Sequence, residues 1–181
     1  MDFGFNYNHI GISDISAQIS DITIDGDTIS GNISTISANE RSGFVLKNFS
    51  GNAIVCPVFI ALNNLKVVTG NSEVDGDILL NYNEYPDFYD FLDKVKISSH
   101  FVKTELNLSD IAYFATPLKG IDKKIIFSGD LKGKITRIKG KNMKIQFGAN
   151  SFFKGDIALD GLPNIDETFI TLDIKNIETN R

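Results

Sequence analysis

Catalysis requires side chains that converge, and the residue types able to supply it are sparse in this chain. There are two histidines, His9 and His100, and a single cysteine, Cys56. They stand far apart and show neither the spacing of a zinc site nor that of a Cys-His pair. No Gly-x-Ser-x-Gly elbow is present. Gly133-Lys134 and Gly140-Lys141 lack the upstream glycine spacing and the following Ser or Thr of a phosphate-binding loop. Asp25-Gly26-Asp27 and Asp75-Gly76-Asp77 each bring two carboxylates together, a pair that could hold calcium. Neither continues into the ligand series and terminal glutamate of an EF-hand loop, so turn chemistry is the default reading. Cys56 alone cannot form an internal disulfide and leaves the redox compartment open. These residues predict no enzyme, no cofactor and no metal.

Charge offers one further candidate site. The formal net charge of −5 is unevenly spread: residues 1–118 hold fifteen acids and six bases, residues 119–144 two acids and nine bases, and residues 145–181 six acids and three bases. The basic run makes Lys132, Lys134, Arg137, Lys139 and Lys141 candidate contacts for anionic headgroups, against the commoner reading of lysines on a solvated strand face. Its only aromatic residue is Phe127, too little for the stacking platform of a single-strand nucleic-acid binder, so no nucleic acid is expected as a partner. No stretch approaches the roughly 18 apolar residues of a membrane-spanning helix. The opening Met-Asp-Phe-Gly-Phe-Asn lacks the basic and apolar regions of a signal peptide.

The elements that would position any site are strands. Apolar residues recur two apart in Ile15-Ser-Ala-Gln-Ile19, Ile22-Thr-Ile24, Ile29-Ser-Gly-Asn-Ile33, Val58-Phe-Ile-Ala-Leu62 and Leu65-Lys-Val67, and again in Ile125-Ile-Phe127, Met143-Lys-Ile-Gln-Phe147, Ile157-Ala-Leu159 and Ile170-Thr-Leu-Asp-Ile174. This is the pattern of strands with one apolar face. Turn-forming clusters separate them: Asp25-Gly-Asp27, Asn63-Asn64, Gly70-Asn71, Gly140-Lys-Asn142 and Gly148-Ala-Asn150. The expectation is a mainly antiparallel all-β chain of about eleven to thirteen strands of five to eight residues, residues 1–181 forming a single β-rich segment of a larger repeat-like protein.

A second regularity runs through it. An apolar-x-Gly-[Asp/Asn] motif appears at Gly31-Asn32, Gly51-Asn52, Gly76-Asp77, Gly129-Asp130 and Gly155-Asp156. The intervals suggest a unit of about 25 residues with one copy lost near residue 103. Glycine inside a strand costs stability unless the sheet must bend, so the motif marks either a deliberately curved sheet or ordinary hairpin ends. Two segments interrupt the strands. Pro86–Val95 places Phe88, Phe91, Leu92 and Val95 at i, i+3, i+4 and i+7, an apolar stripe on a short helix with acids early and lysines late. Ser109–Thr116 predicts a second helix with Ser109 as its N-cap, stopped by Pro117.

Several segments together resemble one family. They are Phe5-Asn-Tyr-Asn-His-Ile10, Ser20-Asp-Ile-Thr-Ile-Asp-Gly-Asp-Thr-Ile-Ser30, Arg41-Ser-Gly-Phe-Val-Leu-Lys47, Asp110-Ile-Ala-Tyr-Phe-Ala115 with Leu118-Lys-Gly120, and Gly161-Leu-Pro-Asn-Ile-Asp-Glu-Thr-Phe169. Their order and character resemble an internal region of the TamB-like translocation and assembly module proteins of the AsmA superfamily, of the Bacteroidetes type. The resemblance implies a periplasmic protein anchored in the inner membrane and reaching toward the outer membrane as a long, curved, taco-like β-groove. Its apolar inner surface would shield or conduct phospholipid or another acyl-chain ligand. An alternative role is a β-scaffold that pairs with strands of outer-membrane barrel or secreted proteins. The anchor and the C-terminal domain that meets an outer-membrane barrel partner are not among these residues.

On that reading the groove lining is Ile15, Ala17, Ile19, Ile33, Ile60, Leu62, Ile157, Leu159, Ile170, Leu172 and Ile174, with Phe88, Phe91, Leu92 and Val95 capping it. Alternation alone cannot distinguish such a groove from a filled β-sandwich, since both have one apolar face per strand. A continuous sheet cut at both sides would also associate edge to edge.

Overall fold

A computed structural model describes residues 4, 9–114, 118–148 and 151–179, with backbone only at Ile165. The chain is all-β. Ten strands form one antiparallel sheet in strict sequence order, so every neighbour in space is a neighbour in the chain. The strands are β1 (Ile12–Asp25), β2 (Thr28–Glu40), β3 (Val45–Cys56), β4 (Phe59–Thr69), β5 (Glu73–Asn81), β6 (Lys96–Asn107), β7 (Lys124–Lys134), β8 (Arg137–Phe147), β9 (Ser151–Asp160) and β10 (Phe169–Glu178). The arrangement is a single sheet and not a sandwich; among the described residues no second sheet packs against it.

The strands are fewer and longer than their sequence signals suggest, at 9 to 14 residues each. Two of the predicted turns are β-bulges within strands. Asn63-Asn64 lies inside β4, where Leu62 pairs with Ile78 and Leu65 with Gly76, leaving two residues opposite Asp77. Lys141-Asn142 sits likewise inside β8 opposite Asp156. Asn64 and Asn142 have φ of 52°, a left-handed conformation that asparagine tolerates in turns and bulges alike. Local composition therefore signals the conformation but not whether the chain reverses there. The Gly26-Asp27 and Gly70-Asn71 clusters do form reversals. The predicted turn at Gly148 runs into residues 149–150, outside the described set.

The glycine motif finds its explanation in the ladder. Gly51, Gly76, Gly129 and Gly155 fall in the odd strands β3, β5, β7 and β9, while the even strands carry large side chains at the same level. The register runs Ile33 to Gly51, Leu65 to Gly76, Gly76 to Phe101, Phe101 to Gly129, Met143 to Gly155 and Gly155 to Ile174. Large and absent side chains thus alternate across the sheet in one transverse row. Leu65, Phe101 and Met143 keep only 2%, 9% and 3% of their surface because the flanking glycines let them lie against backbone. A methyl group at Gly76 would stand 2.1 Å from the His100 carbonyl oxygen. At Gly129, where φ is 130°, it would meet the Met143 sulfur at 2.7 Å.

The unit is therefore two strands. No copy is lost near residue 103: between Gly76 and Gly129 the chain makes β6 and two insertions, residues 82–95 and 108–123. Gly31 departs from the row, since it lies in β2 opposite the β1 bulge between Ser20 and Thr23.

The insertions differ in detail from the predicted helices. Tyr85–Asp90 is a 3-10 helix with Pro86 at its start, followed by the single α-turn α1 (Phe91–Lys94). Val95 is not helical; its backbone is extended and it is wholly buried. The second helix, α2 (Leu108–Ile111), begins before Ser109 because Asn107 is its cap, its side-chain oxygen accepting from the Ser109 N–H at 2.9 Å. Of the rest of that predicted helix, residues 112–114 form turns and residues 115–116 lie outside the described set.

Candidate functional site: an apolar trough

Cross-strand partners share a face, so the register sorts every strand residue to one of two surfaces. One surface is apolar from side to side. Ile29, Val55, Ile60, Leu80 and Ile97 follow one another across it, as do Phe127, Ile145, Phe153 and Ile177. Every predicted lining residue falls on this face. Ala17 and Ile19 pair with Ile36 and Ile33. Ile60 and Leu62 pair with Leu80 and Ile78, and Ile157 and Leu159 with Leu172 and Ile170. Ile174 pairs with Gly155, and Ile15, two residues before Ala17, keeps its parity beside the bulge at Asp14. Among the described residues the buried strand positions other than Cys56 also lie on this face, which makes it the concave one.

Exposure separates floor from flanks. Positions on strands flanked on both sides, such as Ile60, Leu62, Ile157 and Leu159, are half-buried, whereas Ile15, Ile19, Ile170, Leu172 and Ile174 on the outer strands β1 and β10 remain exposed. Contiguous apolar surface left uncovered by the described chain makes this face the candidate binding or interaction surface.

The opposite face is mainly polar, although Ile54, Ala61 and Leu79 follow one another across it. Alongside the glycine row it carries Asn52, Asn63, Asp77, His100, Asp130, Lys141, Asp156 and Asp173. The acid of the Gly-Asp motif has a definite task there. Asp77 Oδ1 accepts the Asn64 N–H at 2.7 Å and Asp156 Oδ1 accepts the Asn142 N–H at 2.9 Å, so each carboxylate holds the left-handed bulge of the preceding strand. Lys141 Nζ at 2.6 Å and that amide together hold the Asp156 carboxyl below its ordinary range. His100 Nδ1 lies 2.7 Å from Asp130 Oδ1.

The predicted headgroup cations also fall on this polar face. Lys132 pairs in the ladder with Lys139, and Lys134 with Arg137. Arg137 and Lys141 are engaged by Asp160 and Asp156, while Lys132, Lys134 and Lys139 have no ion-pair partner among the described residues. All five point away from the trough. A lipid with its tails in the trough would meet them only around the rim.

The two insertions build the mouth. On one side Tyr82 anchors the 3-10 helix, donating its hydroxyl to the Cys56 carbonyl at 2.6 Å and packing edge-on against Phe88 at 4.8 Å. Phe88 then meets Phe91 at 5.9 Å. Thr136, in the β7–β8 turn, donates to Asp93 at 2.9 Å and accepts from Gly161 through its carbonyl at 2.9 Å, tying three reversals together.

On the other side Asp110 is the anchor. Its buried carboxylate accepts from the Thr69 hydroxyl in a short bond, the Ser72 hydroxyl at 2.8 Å and the Asn71 N–H at 2.9 Å, and so joins α2 to the β4–β5 turn. Burial works to raise this carboxyl, and the donors outweigh it, leaving it below its ordinary value. Phe44 stacks edge-on with Tyr113 and Phe114 at 5.6 and 5.2 Å.

These insertions leave opposite ends of the strands, yet Phe88, Phe91 and Leu92 from one and Ile111, Phe114 and Leu118 from the other line a single apolar cavity of about 890 Å³. The strands therefore curve until their ends face each other, with the glycine row along the bend. The predicted capping residues Phe88, Phe91 and Leu92 do stand at this mouth, whereas Val95 lies under it as core. Sequence reasoning found only one wall of the mouth; Phe44, Ile111, Phe114 and Leu118 belong to segments with no single apolar stripe.

Among the described residues no three His, Cys, Asp or Glu side chains cluster as metal ligands would, and no helix is long and apolar enough to cross a membrane. No family model, no curated protein and no solved structure matches the chain.

Proposed function

We propose that this chain is a non-enzymatic trough that shields or conducts acyl chains, those of phospholipid or a similar ligand, along its concave apolar face. One observation carries the reading: an apolar surface crosses all ten strands of a single sheet and no layer of the described chain covers it. Leaving such surface in water costs on the order of 25 cal/mol per Å², and a chain of methylenes laid along it recovers that cost without any directional contact. The aromatic mouth suits the same task by limiting access of water from above. Ten strands at about 4.8 Å give a trough of roughly 48 Å.

The proposal extends to setting. The resemblance to TamB-like proteins supports a periplasmic segment of a longer, inner-membrane-anchored protein that works with an outer-membrane barrel partner. A second reading is favoured by the open edges of β1 and β10, along which an unfolded barrel strand could pair.

Native mass spectrometry with organic extraction, on protein purified gently from a bacterial host, tests the first reading. Co-purifying phospholipid is expected from the unaltered chain and should disappear in folded Leu159→Asp and Ile60→Lys variants. Lipid retained by those variants, or a lipid-free native protein, would refute it. The strand-pairing reading predicts instead that those variants still capture client strands and that an edge-strand proline does not.

A further inference from the structure

The convex face carries a hollow of its own, on the far side of the sheet from the trough. It lies over the interior strands β6 to β9 and has a volume of about 530 Å³. One row of cross-strand neighbours forms half of it. Ser128 pairs with Lys144 and Lys144 with Lys154, and Lys103, in the β6 bulge opposite Ser128, heads the row. The next row, Ile126, Gln146 and Phe152, forms the other half.

Charge sets the first row apart. Elsewhere on this face Lys124, Arg137 and Lys141 lie within 2.9 Å of Glu105, Asp160 and Asp156. Lys144 and Lys154 instead face each other, flanked by Ser128 and Asn176, and neither has an ion-pair partner among the described residues. Like charges directly opposite destabilise a sheet, so the pair is a local conflict that folding does not require and that a bound anion would relieve. Lys103 shares Glu105 with Lys124, which is the nearer at 2.9 against 3.5 Å. Glu178 is the sole acid among the described residues lining the hollow. Phe152 steadies one ammonium group, Lys154 Nζ lying 5.1 Å from its ring centroid. The Lys132–Lys139 pair also lacks acids, but its row-mates Ser98 and Ala158 offer no aromatic surface.

We infer that this hollow binds a phosphate ester, with its phosphoryl group between Lys144 and Lys154, the Ser128 hydroxyl as a further donor, and its apolar group on Ile126 and Phe152. A monoester carries a charge of about −1.5 to −2 at neutral pH, which two ammonium groups match, and lysine binds phosphate as a point charge. A soluble ester and the headgroup of an anionic phospholipid present the same chemistry. The site is built on strands paired on both sides and does not depend on what the trough carries.

Phenyl phosphate is the probe, followed through the backbone amide spectrum of the isotope-labelled full chain at low ionic strength, where screening is least. Saturable shifts centred on Ser128, Lys144 and Lys154 are expected, with a dissociation constant on the order of 1 mM, and inorganic phosphate should bind about fivefold more weakly for want of an apolar group. Lys144→Gln and Lys154→Gln, both at exposed positions, should each weaken phenyl phosphate by about fivefold, whereas Lys132→Gln should not. Phe152→Thr should erase the preference for phenyl phosphate over inorganic phosphate, and the same spectra report that each variant is folded. Flotation with vesicles distinguishes the sources. Capture by phosphatidic acid but not by phosphatidylcholine, lost in the Lys144→Gln/Lys154→Gln double variant, assigns the ester to a lipid headgroup; phenyl phosphate binding without capture assigns it to a soluble molecule. No saturable shift up to about 20 mM, equal shifts around Lys132 and Lys139, or undiminished binding by both glutamine variants would each overturn the inference.

Discussion

Replacing Gly76 by alanine tests the claim that the glycine row is where the sheet bends. The new methyl carbon would lie 2.1 Å from the His100 carbonyl oxygen and 3.0 Å from the Phe101 Cα. An ordinary carbon–oxygen contact is on the order of 3.3 Å, so β6 must withdraw by about 1.2 Å. A backbone hydrogen bond does not survive such a shift, and the two flanking bonds are worth about 1 kcal/mol each. Displacing Phe101 from its bed between Gly76 and Gly129 adds roughly 1 kcal/mol, and the stiffer unfolded chain returns about 0.5 kcal/mol.

The net expectation for Gly76→Ala is a loss of about 2–3 kcal/mol, a fall of at least about 1 M in the urea midpoint at a slope near 2 kcal/mol/M. Gly31→Ala is the matched control. It has the same motif, but its methyl would sit 3.4 Å from the nearest atom, the Ser20 carbonyl oxygen. That variant should stay within about 0.5 kcal/mol of native or gain slightly. Equal midpoints for the two variants would refute the assignment of the row as a steric bend line.

Further outcomes follow from the anchors. Asp110 is depressed when folded, so its stabilising effect is fully present above its ordinary value of 3.8 and is lost as the pH falls through the folded value. Asp110→Asn should cost about 1–3 kcal/mol at neutral pH and flatten the acid limb of stability against pH, read by denaturant titrations from pH 6 down to pH 2. Tyr82→Phe leaves the buried Cys56 carbonyl without its donor and should cost about 1–2 kcal/mol by the same titration. Leu65→Ala, at 2% exposure, should cost about 2–4 kcal/mol, whereas Leu172→Ala at 45% should cost less than about 1 kcal/mol; comparable losses would argue against the floor-and-flank description of the trough.

Much of this architecture is legible in residue order. Period-two alternation is a local property of a strand with one buried face, so strand existence, antiparallel order and the identity of the apolar face could be read without coordinates. The same holds for the lining residues, since once Ile60 and Leu62 are on one face the ladder carries that face to every neighbour. The Gly-Asp/Asn motif was visible as a repeat, and its unit of two strands was correct in length.

Tertiary structure decided the remainder. Asn63-Asn64 and Lys141-Asn142 read as turns because left-handed conformations look alike in sequence; only the partner strand, with Asp77 or Asp156 accepting the free amide, makes them bulges. Gly76 and Gly31 stand in the same motif, yet one must be glycine and the other need not be, because the crowding comes from a different strand. The basic run Lys132–Lys141 was evident, but its position on the convex face depends on register, which a single residue of slip would have reversed. The mouth of the trough is the clearest case. Phe91 and Phe114 lie 23 residues apart on insertions that leave opposite strand ends, and no local pattern links them. They line one cavity because the central strands bend along the same row, a long-range consequence of glycines set against Leu65, Phe101 and Met143.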